Sequence, residues 1–203
     1  MPATPPTGEP LVGRFVRLDP VQPEDTGGLH AVLTDPTVYT QGYIMRPPPV
    51  DLDETRVRVA KEVAAREAGR TAYTVRLVGH GPLGDSGTVV GTSSLGDVDL
   101  VNERVHLGWT VYGSRWWGTQ VNPEAKLLLL GHAFDCGFGR VKIQTDAVNQ
   151  RSQAAIARLG ATREGVLRRH TRRADGTFRD TVVFSILRDE WPMVRTRLEA
   201  RLS

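Results

Sequence analysis

Alternating apolar and polar residues mark the strands along this chain. The alternation predicts seven strands, at residues 14–18, 71–78, 88–98, 104–111, 141–146, 162–172 and 178–187. The last two flank Asp175-Gly176, a dipeptide that favours a tight hairpin turn. The chain is therefore predicted to close with an antiparallel strand pair.

Helices are predicted between these strands from their start and stop residues, at residues 24–33, 53–69, 122–137 and 150–159. In the third helix Asn122 is the expected N-cap, Pro123 suits the first turn and Gly137 ends the helix. That helix is apolar on most faces, which predicts that it is buried. In the fourth, Asn149 is the expected cap and Gly160 follows the end.

The order of elements predicts an α+β fold, with a mixed sheet and helices on its faces. Residues 1–10 contain four prolines and no periodicity, so we expect a flexible tail before a single domain at residues 11–203. Residues 34–50 contain three consecutive prolines and are predicted to be a long loop. Loops of this length in compact domains are usually functional or mobile.

Composition excludes several classes of protein. In 203 residues the hydrophobic share is 39% and the charged share 24%, which excludes a mainly disordered, collagenous or coiled-coil chain. The longest aliphatic run, residues 127–130, is too short to cross a bilayer, and the first ten residues lack the features of a secretory signal. The single cysteine, Cys136, forms no intrachain disulfide or cysteine zinc cluster. The expected location is the cytoplasm, with no membrane partner and no metal.

Charge does not favour a nucleic-acid partner. The formal net charge is +3, and a dedicated binder usually concentrates basic residues on one face. The exception to consider is the last strand pair, whose arginines are Arg163, Arg168, Arg169, Arg172, Arg173 and Arg179. They indicate either a solvated β-ribbon or a patch for an acidic acceptor or a phosphate.

A segment ahead of the buried helix has the features of an anion site. Gly118 permits a tight turn and a close approach of backbone to a ligand. The N–H groups at the start of the following helix lack intrahelical partners and favour negative charge, and Arg115 adds a donor for phosphate. The alternative is an ordinary connection in which Trp116 and Trp117 fill the core.

A second polar cluster opens the next helix, at Asn149, Arg151 and Ser152. Two helix starts that follow successive strands are expected to face one crevice. The alternative is that Asn149 only caps its helix.

These two segments resemble the GNAT acetyltransferases. Residues 115–125, R-W-W-G-T-Q-V-N-P-E-A, are similar to the family's (Q/R)-x-x-G-x-(G/A) loop ahead of a helix. The stretch from Asn149 through Ser152 to Leu159-Gly160-Ala161, and the strand His106-Leu-Gly-Trp109, are similar to motifs of the branch that acetylates ribosomal-protein N-termini. The resemblance covers residues 11–192. It implies a mixed, mostly antiparallel sheet of about seven strands with helices on both faces.

The resemblance implies transfer of acetyl from acetyl-CoA, as co-substrate, to an amine. The acceptor is left open between a protein N-terminus and a small-molecule amine, and a homodimer is also left open. The residues expected to bind acetyl-CoA are Trp109, Val111, Arg115, Trp117, Gly118, Thr119, Gln120, Val121, Asn122, Asn149 and Ser152. Gln120 departs from the family pattern, because it stands where the loop ends in a small residue.

The expected catalytic residues are His106, Glu103 and Ser152. His106 or Glu103 would take a proton from the amine, and Ser152 would donate to the departing thiolate. A regular strand aims only one of residues 103 and 106 at the acceptor, and His106 is preferred. Two other functions stay open: an acyl-CoA-binding sensor without catalysis, and a ribosome- or RNA-associated basic module.

Overall fold

The computed structural model describes residues 2–40, 46–173 and 175–203, and it contains one mixed sheet. Its eight described strands are β1 (Leu11–Val12), β2 (Val16–Pro20), β3 (Thr71–Leu77), β4 (Val89–Asp99), β5 (Arg104–Tyr112), β6 (Arg140–Asp146), β7 (Thr162–Arg172) and β8 (Phe178–Leu187). Their spatial order is β1-β2-β3-β4-β5-β6-β8-β7, and every neighbouring pair is antiparallel except β5 and β6. The predicted mostly antiparallel sheet of about seven strands is confirmed, and the additional strand is the two-residue β1.

Six α-helices occur in the same described ranges: α1 (Thr26–Leu33), α2 (Pro36–Thr40), α3 (Leu52–Ala64), α4 (Val121–Asp135), α5 (Gln150–Ala157) and α6 (Trp191–Glu199). Two of them were not predicted as helices. The short α2 lies inside the predicted loop 34–50, of which residues 41–45 are outside the described residues. α6 was not predicted, because only Val194 and Leu198 on it are buried and this pattern is weak in sequence.

The helices cover both faces of the sheet. α4 and α6 pack on one face, where Leu129, Leu130 and Leu198 are buried in the main core. α1 and α3 cover the other face in a smaller cluster. Consecutive strand residues point to opposite faces, and accordingly Val90 joins the main core while its neighbour Val89 packs against the smaller cluster. The predictions of helices on both faces and of a buried α4 are confirmed.

The first residues are attached to the domain rather than free of it. Ala3 is buried, and the Thr4 backbone N–H donates to the Cys136 carbonyl at 2.8 Å, at the end of α4. These two residues therefore contact the end of α4, while the flexibility expected for residues 1–10 stays a prediction.

Glu124, in the first turn of α4, attaches the helix to the β1–β2 turn. Its buried carboxylate accepts backbone N–H bonds from Arg14, Phe15 and Val16 at 2.8, 2.6 and 2.6 Å. These charge-assisted bonds fix the start of α4 against the sheet. The start of α4, which borders the candidate site, is thereby fixed by the β1–β2 turn.

Candidate active site

The sheet opens into a cleft between β5 and β6. The two strands pair only over Arg104 to His106 with Arg140 to Lys142, and their remaining residues diverge. A cavity of about 610 Å³ lies in the opening, within the usual range for small-molecule sites. It is lined from β5 by residues 106–112 and from β6 by residues 143–146.

A β-bulge in β5 shapes one wall of the cleft. Thr92 pairs with Val111 but Ser94 pairs with Gly108, so Trp109 and Thr110 together oppose a single residue of β4. Trp109 has a φ of 50°, in the left-handed region. Bulges bend the strand that carries them, which helps to turn β5 away from β6 at this point.

The loop into α4 forms the first end of the cavity. Gly118, with a φ of 76°, Trp117, Thr119 and Asn122 all line it. The predicted N-cap is wrong by two residues. α4 begins at Val121, whose side chain is fully buried, so Asn122 lies inside the first turn and faces the cavity.

Three residues predicted to bind acetyl-CoA are not among those lining the cavity. They are Arg115, which is exposed with its guanidinium near the Trp116 ring, Gln120, which occupies the cap position, and Val121, which is buried in the core. The two tryptophans have mixed roles. Each indole N–H bonds a backbone carbonyl, from Trp116 to Leu83 and from Trp117 to Tyr112, while both rings also line the cavity.

The start of α5 faces the start of α4 across the cavity. The Arg151 guanidinium stacks over the Trp117 ring, 3.3 Å from its centroid, and burial lowers the pKa of Arg151. The Asn149 Oδ1 accepts the Ser152 backbone N–H at 2.9 Å, so the predicted cap is confirmed. Asn149 and Ser152 both line the cavity. The expectation that the two helix starts face one crevice is confirmed.

His106 lies in the cavity wall and is only 3% exposed. Its Nδ1 is 3.2 Å from the Asp97 Oδ2, and its ring centroid lies 4.5 Å from that of Trp109, with the two ring planes tilted by 50°. Gly108 makes room for the ring, because a Cβ there would come within 2.5 Å of the His106 Nε2. That nitrogen has no hydrogen-bond partner among the described residues.

The charges around His106 act in opposite directions. Burial lowers the pKa of His106, while the neighbouring Asp97 carboxylate raises it. The bond with His106 and the Lys142 ammonium, 3.1 Å away, hold the pKa of Asp97 far below its usual value. The net result favours a neutral imidazole near pH 7. Sequence reasoning missed Asp97, because its contact with His106 depends on strand register and on a bulge at residues 96–99.

Glu103 lies outside the cavity that His106 lines. It has a φ of 46°, it is exposed in the turn before β5, and its carbonyl accepts N–H bonds from Gly139 and Arg140. It borders a separate depression with Leu187, Arg188 and Asp189. The expectation that Glu103 reaches the reacting amine is not supported, because the residue precedes the strand and is turned to the end of the sheet opposite the cleft.

Lys126 is a second group that sequence reasoning missed. It is 6% exposed on the second turn of α4 and lines the cavity. Its Nζ donates to the Thr110 Oγ1 at 2.7 Å and to the Ser93 Oγ at 3.1 Å, and burial lowers its pKa to about 7. A lysine within an apolar helix gives no sequence signal for this position.

The cavity continues to the face of α1 and α3. Apolar and aromatic groups from Leu33, Val38 and Tyr39 line it there. Arg179, alone among the arginines of the last strand pair, is buried and lines it, and its charge contributes to lowering the pKa of His106. Arg173 instead binds Asp146, with Nε to Oδ2 at 2.8 Å.

The described ranges contain no helix with the length and apolarity to span a membrane. They also contain no group of three or more His, Cys, Asp or Glu residues placed to hold a metal ion.

Comparison with known proteins gives a consistent result. The family described as the acetyltransferase (GNAT) domain matches residues 16–162. No curated protein matches the chain.

A structure from T. thermophilus, proposed to be an acetyltransferase, is 37% identical with a TM-score of 0.83, covering 100% of both chains. A GCN5-related N-acetyltransferase from Brucella melitensis is 25% identical with a TM-score of 0.89, covering 100% of this chain and 89% of that one. RimJ from Mycobacterium smegmatis in complex with CoA-disulfide shares the fold, at 21% identity and a TM-score of 0.78 over 97% and 96% of the chains.

Proposed function

Because this chain belongs to the GNAT acetyltransferase family, we propose that it transfers the acetyl group of acetyl-CoA to a primary amine, by direct attack of the amine on the thioester. The acceptor is a protein N-terminus or a small-molecule amine. One observation carries the proposal: a cleft between β5 and β6 has two helix N-termini at one end and a buried histidine in its wall. RimJ, which shares the fold, was solved with a CoA derivative.

Coenzyme A fits the chemistry of the cleft. Its pyrophosphate lies over the backbone of Trp117 to Asn122, where helix N–H groups and the α4 dipole favour negative charge. Arg151 supplies the cationic donor instead of the exposed Arg115. The peptide-like pantetheine arm extends along the β5 edge at Trp109 to Val111, with Asn149 on its other side.

The thioester lies beside the bulge of β5. A backbone N–H near Val111 polarises its carbonyl, an oxyanion role worth about 3–4 kcal/mol in other enzymes. Ser152, at the start of α5, donates a hydrogen bond to the sulfur. The acceptor enters from the side of α1 and α3, where the cavity is lined by Val38 and Tyr39.

His106 removes the proton from the amine. An α-amine has a pKa of about 7.7–8 and a lysine-like amine about 10.4, so an ammonium needs a base before it attacks. Burial keeps the imidazole neutral, the Asp97 carboxylate lies 3.2 Å from Nδ1, and Nε2, which has no hydrogen-bond partner among the described residues, accepts the proton. These contacts favour catalysis over a sensor that only binds acyl-CoA.

The test is a screen of amines, peptides and antibiotics with acetyl-CoA, with thiol release as the readout. We expect thiol release with at least one amine, and calorimetric binding of acetyl-CoA without any acceptor. A folded protein that binds no acetyl-CoA would contradict the proposal. If that protein instead bound RNA tightly, and the binding weakened steeply with salt, the result would favour the alternative of a ribosome- or RNA-associated basic module.

A further inference from the structure

Lys126 is a buried amine with no carboxylate beside it. Its Nζ contacts two hydroxyl groups, those of Thr110 and Ser93, and these are themselves 2.7 Å apart. In the described part of the chain no acidic residue forms a salt bridge with it, and burial alone accounts for its lowered pKa. An unpaired buried ammonium is costly, so its retention in a cavity wall indicates a use for its proton.

The titratable groups on the elements around Lys126 leave its charge unbalanced. On its own helix, Glu124 is engaged by the backbone of the β1–β2 turn. On β6, Asp146 is bound by Arg173. On β5, burial raises the pKa of the Tyr112 hydroxyl, so that this group stays neutral.

Lys126 and His106 approach β5 from opposite faces. Thr110, in the bulge, turns its hydroxyl to Lys126 on the α4 face. Trp109, its neighbour, contacts the His106 ring, and Val111 packs in the cluster of α1. The strand edge that would hold the thioester therefore has one titratable group on each side of it.

We propose that Lys126 is the proton donor to the CoA thiolate, with the Thr110 hydroxyl as relay; this rests on the proposed function. The amine nitrogen bonds to the acetyl carbon, and its proton passes to His106. The C–S bond breaks and its electron pair goes to sulfur. The sulfur takes a proton through Thr110 from the Lys126 ammonium. After the products leave, the His106 imidazolium releases its proton to solvent and the neutral Lys126 amine takes one up.

The acidity of Lys126 suits this transfer. A free thiol has a pKa of about 8.5, so a group with a pKa of about 7 protonates a thiolate readily. The Ser152 hydroxyl is a far weaker acid, and its role is a hydrogen bond to the sulfur. His106 cannot be the donor to the thiolate, because it must be neutral to accept the proton of the amine.

The test compares three variants, with acetyl-CoA and hydroxylamine as substrates and thiol release as readout from pH 6 to 9. Lys126→Met removes the amine and leaves Ser93 and Thr110 to bond each other. Lys126→Arg keeps a positive charge but has no proton to give near neutral pH. Lys61→Met, at an exposed lysine of α3, is the matched control.

We expect both Lys126 variants to lower kcat about 10²-fold, with the KM for acetyl-CoA within threefold of wild type. The wild-type kcat should fall above neutral pH as Lys126 loses its proton, and this limb should disappear in both variants. Lys61→Met should behave as wild type. A Lys126→Met protein with wild-type kcat and an unchanged pH profile would overturn this inference alone, since thiol release would still support the transferase.

Discussion

Replacing Gly118 by valine tests where the pyrophosphate binds. Gly118 has a φ of 76°, and an added Cβ would meet no described atom within 4 Å, so the substitution strains the backbone without a clash. A non-glycine residue in the left-handed region costs about 1–2 kcal/mol. A loop that relaxes out of this region turns its N–H groups away from the cavity. Losing one charge-assisted hydrogen bond costs about 1.5–3 kcal/mol, which corresponds to roughly a 10- to 100-fold weaker affinity.

The chain offers a matched control for this strain. Gly87, in the turn before β4, has a φ of 82° and equally open space at its Cβ, and it does not line the cavity. Gly87→Val and Gly118→Val should therefore lose similar stability in thermal unfolding. Calorimetry with acetyl-CoA should show at least a tenfold weaker affinity for Gly118→Val only. The reasoning is refuted if a folded Gly118→Val protein binds as wild type does, or if Gly87→Val is weakened equally.

Three further substitutions have distinct expected results. His106→Gln should lower kcat/KM about 10²–10⁴-fold, and the loss should shrink as pH rises toward the pKa of the amine; an unchanged pH–rate profile would exclude His106 as the base. Asn149→Asp should preserve thermal stability and raise the KM for acetyl-CoA, because aspartate caps a helix but has no amide donor. Equal kinetics of the variant and the wild type would show that Asn149 only caps its helix. Glu124→Gln should lower the free energy of unfolding by about 2–4 kcal/mol in urea titration, since one of two acceptor oxygens becomes a donor facing N–H groups. The exposed Glu67→Gln is its control, and equal stabilities would show that the carboxylate contributes nothing.

The features of the site that depend on the properties of a single residue type were predictable from the sequence. The turn at Gly118 and the cap at Asn149 follow from glycine's freedom at positive φ and from the asparagine side chain. The start of α4 was misplaced, because Asn122 is a better cap in isolation than Gln120. Burial of Val121 in the core decided the start instead.

Features that depend on register were not predictable. Asp97 meets His106, and Lys126 meets Thr110, only because of bulges that shift the pairing of β4 and β5. Hydrophobic alternation gives the strands but not these shifts. Glu103 was expected near the site although it precedes the predicted strand 104–111, and the sequence does not show that its turn, with a φ of 46°, lies at the end of β5 away from the cleft.

The short pairing of β5 with β6 divides the sheet into two leaves. Only three residue pairs join them, next to His106, while α4 packs on strands of both leaves. Beyond these pairs the width of the opening is set by packing rather than by a hydrogen-bond ladder. A pantetheine arm bonded to both edges would act as an inserted strand that pins the leaves together. Departure of the product then requires these bonds to break, so the leaves that hold acetyl-CoA in place would also govern how fast coenzyme A leaves.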